Sequence, residues 1–486
     1  MSHGPRISVK ASGAFTTAPE VTVAPASGEP ARSDRTASLS VDEPSLFGAI
    51  ASEPERLAHN TEVSPGVQRP ITTLTSHIAL NRFSTNVRVP RLTILLRRPR
   101  TLTVADNQKF CKIPLTFDLR VNPFQYRRKE GDTEPLFLVH AAMALAGHHI
   151  ASGFTEHHKG TALHLLRGSL NMSADLKNVY HMLDAIVILF SLDETQSAWG
   201  NWSTHLMGAF ALLEACGGVK AWTKSPRAVV QVALIIWWDS ITSLVAREDC
   251  VFPYSYFEAV VSANITDELG WDYFRLCGCP LPLVEIVMRL ARLSAEKRHS
   301  ASMEYVKFDD TVVSDIERSL ESWRHVSPPA ADQDDEGAMH QDMDSMHCAE
   351  AWRGGLLLYV YRVFHWEPGS RTPVRLARVA RVTVDHVFAC RDDSSLVAKQ
   401  ALLPLFFAGC ELRDESTRRK ILRLCSVWDE VTRYHMFSST VPLLKEVWEE
   451  QEQSGFDHVW WGQVVDRLHA NKESHSHTLK MRLCFG

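Results

Sequence analysis

Residues 229–246 read VVQVALIIWWDSITSLVA, a run without glycine or proline that is apolar on nearly every side. A helix of that character is surrounded by other protein, so the stretch predicts the central helix of a large core. Gln231, Asp239, Ser240, Thr242 and Ser243 interrupt it, so it falls short of the ~18 uninterrupted apolar residues expected of a membrane span. No other stretch supplies them. The amino terminus, MSHGPRISVK, lacks the apolar centre of a secretory signal.

Working outward, helical spacing recurs on both sides. Trp202, Leu206, Phe210 and Leu213 share one face, and Gly217 and Gly218 supply a stop. Val179, Leu183, Ile186, Val187 and Phe190 repeat the pattern, as do Phe137, Ala141, Ala144, Leu145 and His148. Downstream, Leu283, Ile286, Val287, Leu290 and Leu293 mark a helix entered through Pro280 and Pro282. Val312, Ile316, Leu320 and Trp323 mark the next. Residues 327–347 then carry six carboxylates and two prolines and are expected to form an acidic loop. Helices resume over 349–366, over 373–390 and from about 396, where Ser394 or Ser395 would cap and Pro404 would kink the helix. Ile421, Leu424, Cys425 and Trp428 lie on another, and Leu443, Leu444, Val447 and Trp448 begin the last clear one. No strand hairpin is legible. The expected fold class is all-α.

The whole chain has 486 residues, 45% of them apolar, and a net charge of −5. That composition excludes a wholly disordered or collagen-like chain. Residues 1–75 are the exception: rich in Ser, Ala, Thr, Pro and Glu and without periodicity, they cannot bury enough apolar surface to offset their ordering entropy. A basic stretch, RVPRLTILLRRPR, comes next with Arg88, Arg91, Arg97, Arg98 and Arg100. Residues 1–110 hold thirteen Lys/Arg and nine Asp/Glu, so a mildly basic arm precedes an acidic body. The expected organisation is a disordered arm over 1–110, one helical domain over 120–465, and a tail over 466–486. The five arginines fit a solvated segment, a nuclear-import patch, or phosphate contacts giving salt-sensitive DNA affinity.

Candidate chemistry is sparse. The ten cysteines are scattered, with Cys277 and Cys279 as a lone C-x-C and no C-x2-C pair. They read as reduced, buried thiols. His148, His149, His157, His158 and His164 crowd one region and His475 and His477 the tail, without metalloprotease or zinc-finger spacing. Asp309 and Asp310 adjoin a helix start, Asp392 and Asp393 precede Ser394, and Asp332, Asp334, Asp335 and Glu336 lie in the expected acidic loop. Paired acids on one helix face would hold Mg²⁺ against a diphosphate, so an isoprenoid-synthase-like enzyme is the alternative reading. No nucleophile elbow, P-loop or dinucleotide fingerprint is present.

Several segments, taken in order, carry a resemblance. ALLPLFFAGCELRDESTRRKIL (401–422) followed by LLKEVWEE (443–450) supplies Pro404, Leu405, Phe406, Ala408, Gly409, Cys410, Glu411, Val447 and Trp448. WSTHLMGAFALLEACGG (202–218) supplies Trp202, His205, Leu206, Gly208 and Ala209. LVHAAMALAGHH (138–149), Trp271, Gly278-Cys279-Pro280 and EAWRGGLLLYVYRVF (350–364) complete the series. Together they resemble the fungal-specific transcription factor domain found C-terminal to Zn₂Cys₆ binuclear-cluster modules. The resemblance implies a nuclear helical regulatory domain acting in RNA polymerase II transcription, in secondary metabolism or nutrient use, and not an enzyme. It implies co-regulators or the transcription machinery as partners, a small-molecule effector, homodimerisation, and DNA reached through the arm or a partner. It also implies that Cys279 sits in a packing turn and Cys410 in a buried helix. Helices 229–246 and 396–412 would wall the effector pocket. Residues 1–110 contain no cysteine, so this chain is expected to need no cofactor, zinc entering only with an upstream six-cysteine module. A helical scaffold acting without DNA is the remaining alternative.

Overall fold

A computed structural model gives the fold and describes residues 135–149, 153–170, 176–263, 272–303, 305–326, 336–391, 396–475 and 481–485. The arm, with Arg88, Arg91, Arg97, Arg98 and Arg100, lies outside the described residues, as do Trp271, Asp392, Asp393, Ser394 and Ser395. The fold is all-α. Helices α1 (Leu136–His149), α2 (Thr155–Leu170) and α3 (Leu176–Gln196) open it. A short strand β1 (Trp199–Gly200) leads into α4 (Trp202–Ala215) and the single turn α5 (Val219–Trp222). The central helix α6 (Pro226–Ala246) is succeeded by α7 (Tyr254–Ala263), α8 (Tyr273–Cys277), α9 (Leu281–Ala301) and α10 (Thr311–Ser322).

Next come the long α11 (Glu336–Val360), a π turn (Tyr361–His365) and α12 (Val374–Ala389). The chain continues through α13 (Leu396–Lys399), α14 (Leu402–Cys410), α15 (Glu415–Thr432), α16 (His435–Ser454) and α17 (Trp461–His475). A last strand, β2 (Arg482–Leu483), pairs antiparallel with β1.

Helix α6 is the axis of the core, buried from Ala228 through Ala246. The Ser225 hydroxyl accepts from the Ala228 amide and Pro226 occupies the first turn, where its missing N–H costs nothing. Arg247 ends the helix in the left-handed region at φ 54°, its amide donating to Ser243 O. Around α6 pack α3, α4, α7, α8, α9, α17 and β2. Phe190 of α3 stacks on Trp238 with ring centroids 4.1 Å apart, and Trp237 meets Trp352 of α11 edge to face at 5.3 Å. Tyr359 of α11 donates to Leu244 O at 2.8 Å. Helix α11 in turn carries α12 and α14, α14 packs on α16, and α16 returns to α3.

Four sequence expectations change. The acidic loop is shorter than expected, because α11 already begins at Glu336. Carboxylates near a helix N-terminus are favoured by its dipole, and Ala, Met, Gln and Glu are good helix formers, so the acids of 336–347 do not oppose the helix. Residues 466–475 are helix and 482–485 are core rather than tail, with Leu483, Cys484 and Phe485 all buried. Pro404 does not kink one helix. The chain breaks at Gln400–Ala401, and Pro404 falls in the first turn of α14, where its N–H would have no helical partner. On α10 the inward residue is Val313, while Val312 is exposed.

Candidate functional site

Helix α14 is buried along its whole length, so its terminal carbonyls cannot turn to water. Helix α16 supplies the donors: Trp448 Nε1 donates to Gly409 O at 2.9 Å and Gln451 Nε2 to Cys410 O at 3.0 Å. Glu411, the next residue, receives a two-pronged hydrogen bond from Arg362, Nε to Oε1 at 2.7 Å and Nη2 to Oε2 at 2.6 Å. Their side chains are 0% and 2% exposed. Arg362 comes from the π turn, which holds one residue more than an α turn and so rotates the residues beyond it about the helix axis. Its guanidinium lies 5.9, 5.6 and 5.6 Å from the ring centres of Tyr361, Trp366 and Phe456. Arg418 completes the cluster, donating to Leu412 O at 2.8 Å and Glu452 at 2.9 Å, 4.8 Å above the Trp448 ring. This dehydrated clamp joins α11, α14, α15 and α16. It offers no nucleophile.

A second feature lies at the C-terminal end of α6. A cavity of about 50 Å³ is lined there by Trp202, Leu206, Asp239, Ser243, Glu248 and Arg482, among others. It takes one or a few waters, far below the ~300–1,000 Å³ of a drug-sized ligand site. Asp239 accepts from the Val251 and Phe252 amides at 3.0 and 2.8 Å, yet burial pushes its carboxyl up to about 7. The C-terminal segment forms one wall. Trp202 Nε1 donates to Arg482 O at 2.8 Å, Arg482 grips Glu248 at 2.6 and 3.1 Å, and the Cys484 amide donates to Ala198 O at 2.9 Å. Helix 229–246 lines this cavity through Asp239, Thr242, Ser243 and Ala246, and 396–412 lies outside its lining.

The other predicted residues within the described set do not converge on one site. Asp309 is exposed and accepts from the Thr311 amide at 3.0 Å, and Asp310 is exposed at the N-cap position of α10 without a side-chain cap bond, so both sit at a helix start rather than in a deep cavity. Glu336 opens α11; Asp332, Asp334 and Asp335 lie outside the described residues. His148 Nε2 bonds Arg433 O at 3.0 Å, His164 is exposed, and His157 meets His158 edge on. The side chains of His149, His475 and His477 are outside the described set. His158 also pairs with His140 of α1, Nδ1 to Nδ1 at 2.9 Å, and burial holds His158 down at about 4. Sequence spacing missed His140, because its partner lies across a helix pair. Buried Cys277, Cys279, Cys348 and Cys410 have thiols pushed well above the usual range by burial. Among the described residues no three His, Cys, Asp or Glu side chains converge, so these thiols do not fit a zinc site.

The clamp and the cap of α14 coincide with the most distinctive sequence block, Pro404–Glu411 with Val447 and Trp448. A family model described as the fungal specific transcription factor domain matches residues 109–479. No curated protein and no solved structure matches the chain.

Proposed function

Because the chain belongs to the fungal-specific transcription factor domain family, we propose that it is the helical regulatory body of a fungal transcription regulator working in the nucleus on RNA polymerase II genes. The family match over residues 109–479, which spans every helix from α1 to α17, carries this reading. Secondary-metabolism or nutrient-use genes are the proposed targets. The body acts by contact: co-regulators, the transcription machinery or a second copy of the chain bind it, and a small effector would shift it between activity states. The reading asks no cofactor of this chain, zinc belonging to a separate six-cysteine module. DNA is reached through Arg88, Arg91, Arg97, Arg98 and Arg100 or through a partner.

Two measurements test this. The chain, fused to an unrelated DNA-binding module in a fungal cell, should enter the nucleus and change a reporter placed downstream of that module's sites. Cytosolic protein with an unchanged reporter would overturn the proposal in favour of a scaffold. In gel shifts, duplex DNA binding by the full chain should weaken as salt rises and vanish when the five arginines become alanine. Binding that ignores the arginines would assign DNA contact elsewhere.

A further inference from the structure

Four Ser/Thr-Pro pairs occur in the chain, at Ser64, Ser225, Ser327 and Thr372. Only Thr372 has an arginine at the third position after it, in Arg371-Thr372-Pro373-Val374-Arg375. A proline there lacks the N–H that most kinase clefts must satisfy, and the arginine offers a cation to an acidic subsite. Thr372 lies in the surface loop between the π turn and α12, with Glu367, Pro368, Gly369, Arg371 and Val374 exposed around it.

That loop is latched to the turn joining α16 and α17. The Thr372 hydroxyl and amide both donate to Asp457 Oδ1, at 2.7 and 3.0 Å, and the Gly369 amide donates to Asp457 O at 3.0 Å. Arg413 stands 4.0 Å from the same carboxylate and stacks on Phe456 at 4.0 Å. Phe456 in turn covers the Arg362 guanidinium of the buried clamp.

We propose that Thr372 is a phosphorylation site for a proline-directed protein kinase, and that its phosphate unlatches the 366–373 loop from the Asp457 turn. In the step, the Thr372 Oγ1–P bond forms as the bond from the γ-phosphorus of ATP to the β-phosphate oxygen breaks; ADP leaves and the hydroxyl proton passes to the kinase base. The modified side chain loses its donor and sets ~1.5–2 negative charges against the Asp457 carboxylate. Arg413, which already stands beside the Asp457 carboxylate, is placed to pair with the phosphate instead.

The full-length chain, incubated with ATP and a cyclin-dependent kinase as probe, should take up phosphate that maps to Thr372. T372V should abolish that uptake. T372S keeps the hydroxyl and should still accept phosphate, so a folding fault in T372V does not decide the matter. Hydrogen exchange at the Gly369 and Thr372 amides should quicken on the order of tenfold after phosphorylation, and D457A, which removes the side-chain acceptor but keeps the main-chain carbonyl that Gly369 uses, should reproduce that quickening at the Thr372 amide without phosphate. Phosphate on Ser225 or Ser327 with none on Thr372 would overturn the proposal. So would modified Thr372 with unchanged exchange at the two amides.

Discussion

Removing one member of the Arg362–Glu411 pair leaves the other charge buried without its hydrogen-bonded partner, because both side chains are sealed in. Breaking such a pair typically costs about 3–5 kcal/mol, whereas replacing both partners by apolar groups is often near neutral. Arg362→Met and Glu411→Leu should each lower the melting temperature sharply, and the double variant should recover most of the loss. Equal melting of either single variant and wild type would mean that water reaches the pair. His469 gives a prediction in pH. Burial first, then Arg482 and Arg247, push its imidazole down to about 3. The unfolded chain, near pKa ~6.5, therefore binds the proton that the folded chain refuses. The stability this group contributes is full above about pH 6.5 and falls as pH drops toward 3, by up to ~1.4 kcal/mol per unit. Asp239 has the opposite sign, its contribution fading as pH rises from 3.8 toward about 7, so wild type alone mixes the two. His469→Gln isolates the histidine: relative to wild type it should gain stability steadily from pH 6.5 to 4.5 in denaturant titrations, and a flat difference would place the imidazole in water.

At the scale of elements, α11 lets two neighbours approach closely through adjacent glycines. A Cβ at Gly354 would fall 2.1 Å from the Thr383 hydroxyl of α12, and one at Gly355 would fall 2.9 Å from Pro404 Cα of α14. A hydroxyl can be removed but a backbone atom cannot, so the two positions should behave differently. Gly355→Ala should cost about 1–3 kcal/mol with no single-site rescue, while Gly354→Ala should be largely restored by Thr383→Ala. Thermal melts of the four variants decide it; an unrestored Gly354→Ala/Thr383→Ala would contradict this packing. The helices themselves were largely legible: the 3.6-residue spacing gave the buried faces of α4 and α9, because each has one wet side. Legibility failed where local signals conflict with tertiary support. Pro442 reads as a breaker, so the start of α16 at His435 was hidden, yet packing on α3, α14, α15 and α17 carries the helix through it. The π turn has no sequence signature, so Arg362 could not be matched to Glu411 across 49 positions.

At the scale of the whole molecule, distant segments of the chain close one core. The strand at Arg482–Leu483 pairs with Trp199–Gly200, and Phe485 packs on Phe406 of α14 at 5.1 Å. The segment thus ties the α3–α4 corner to the helix bearing the family block. No composition rule marks a two-residue strand, and MRLCFG reads as an unremarkable tail. By contrast, the arm arginines stand out from local charge alone, which is why they were legible as a candidate patch while the clamp was not. Ending the chain after Lys480 removes the fully buried Leu483 and Phe485 side chains, each worth about 1.5–3 kcal/mol as an upper bound. It also strips Trp202 Nε1 of its acceptor, leaves Glu248 without Arg482, and opens the cavity beside Asp239. The truncated chain should still fold around α6, melt at lower temperature by a loss on the order of 3–5 kcal/mol, and expose tryptophan to acrylamide quenching. Unchanged stability and quenching would mean that the core closes without this segment, and that Arg482 and Phe485 decorate it instead of sealing it.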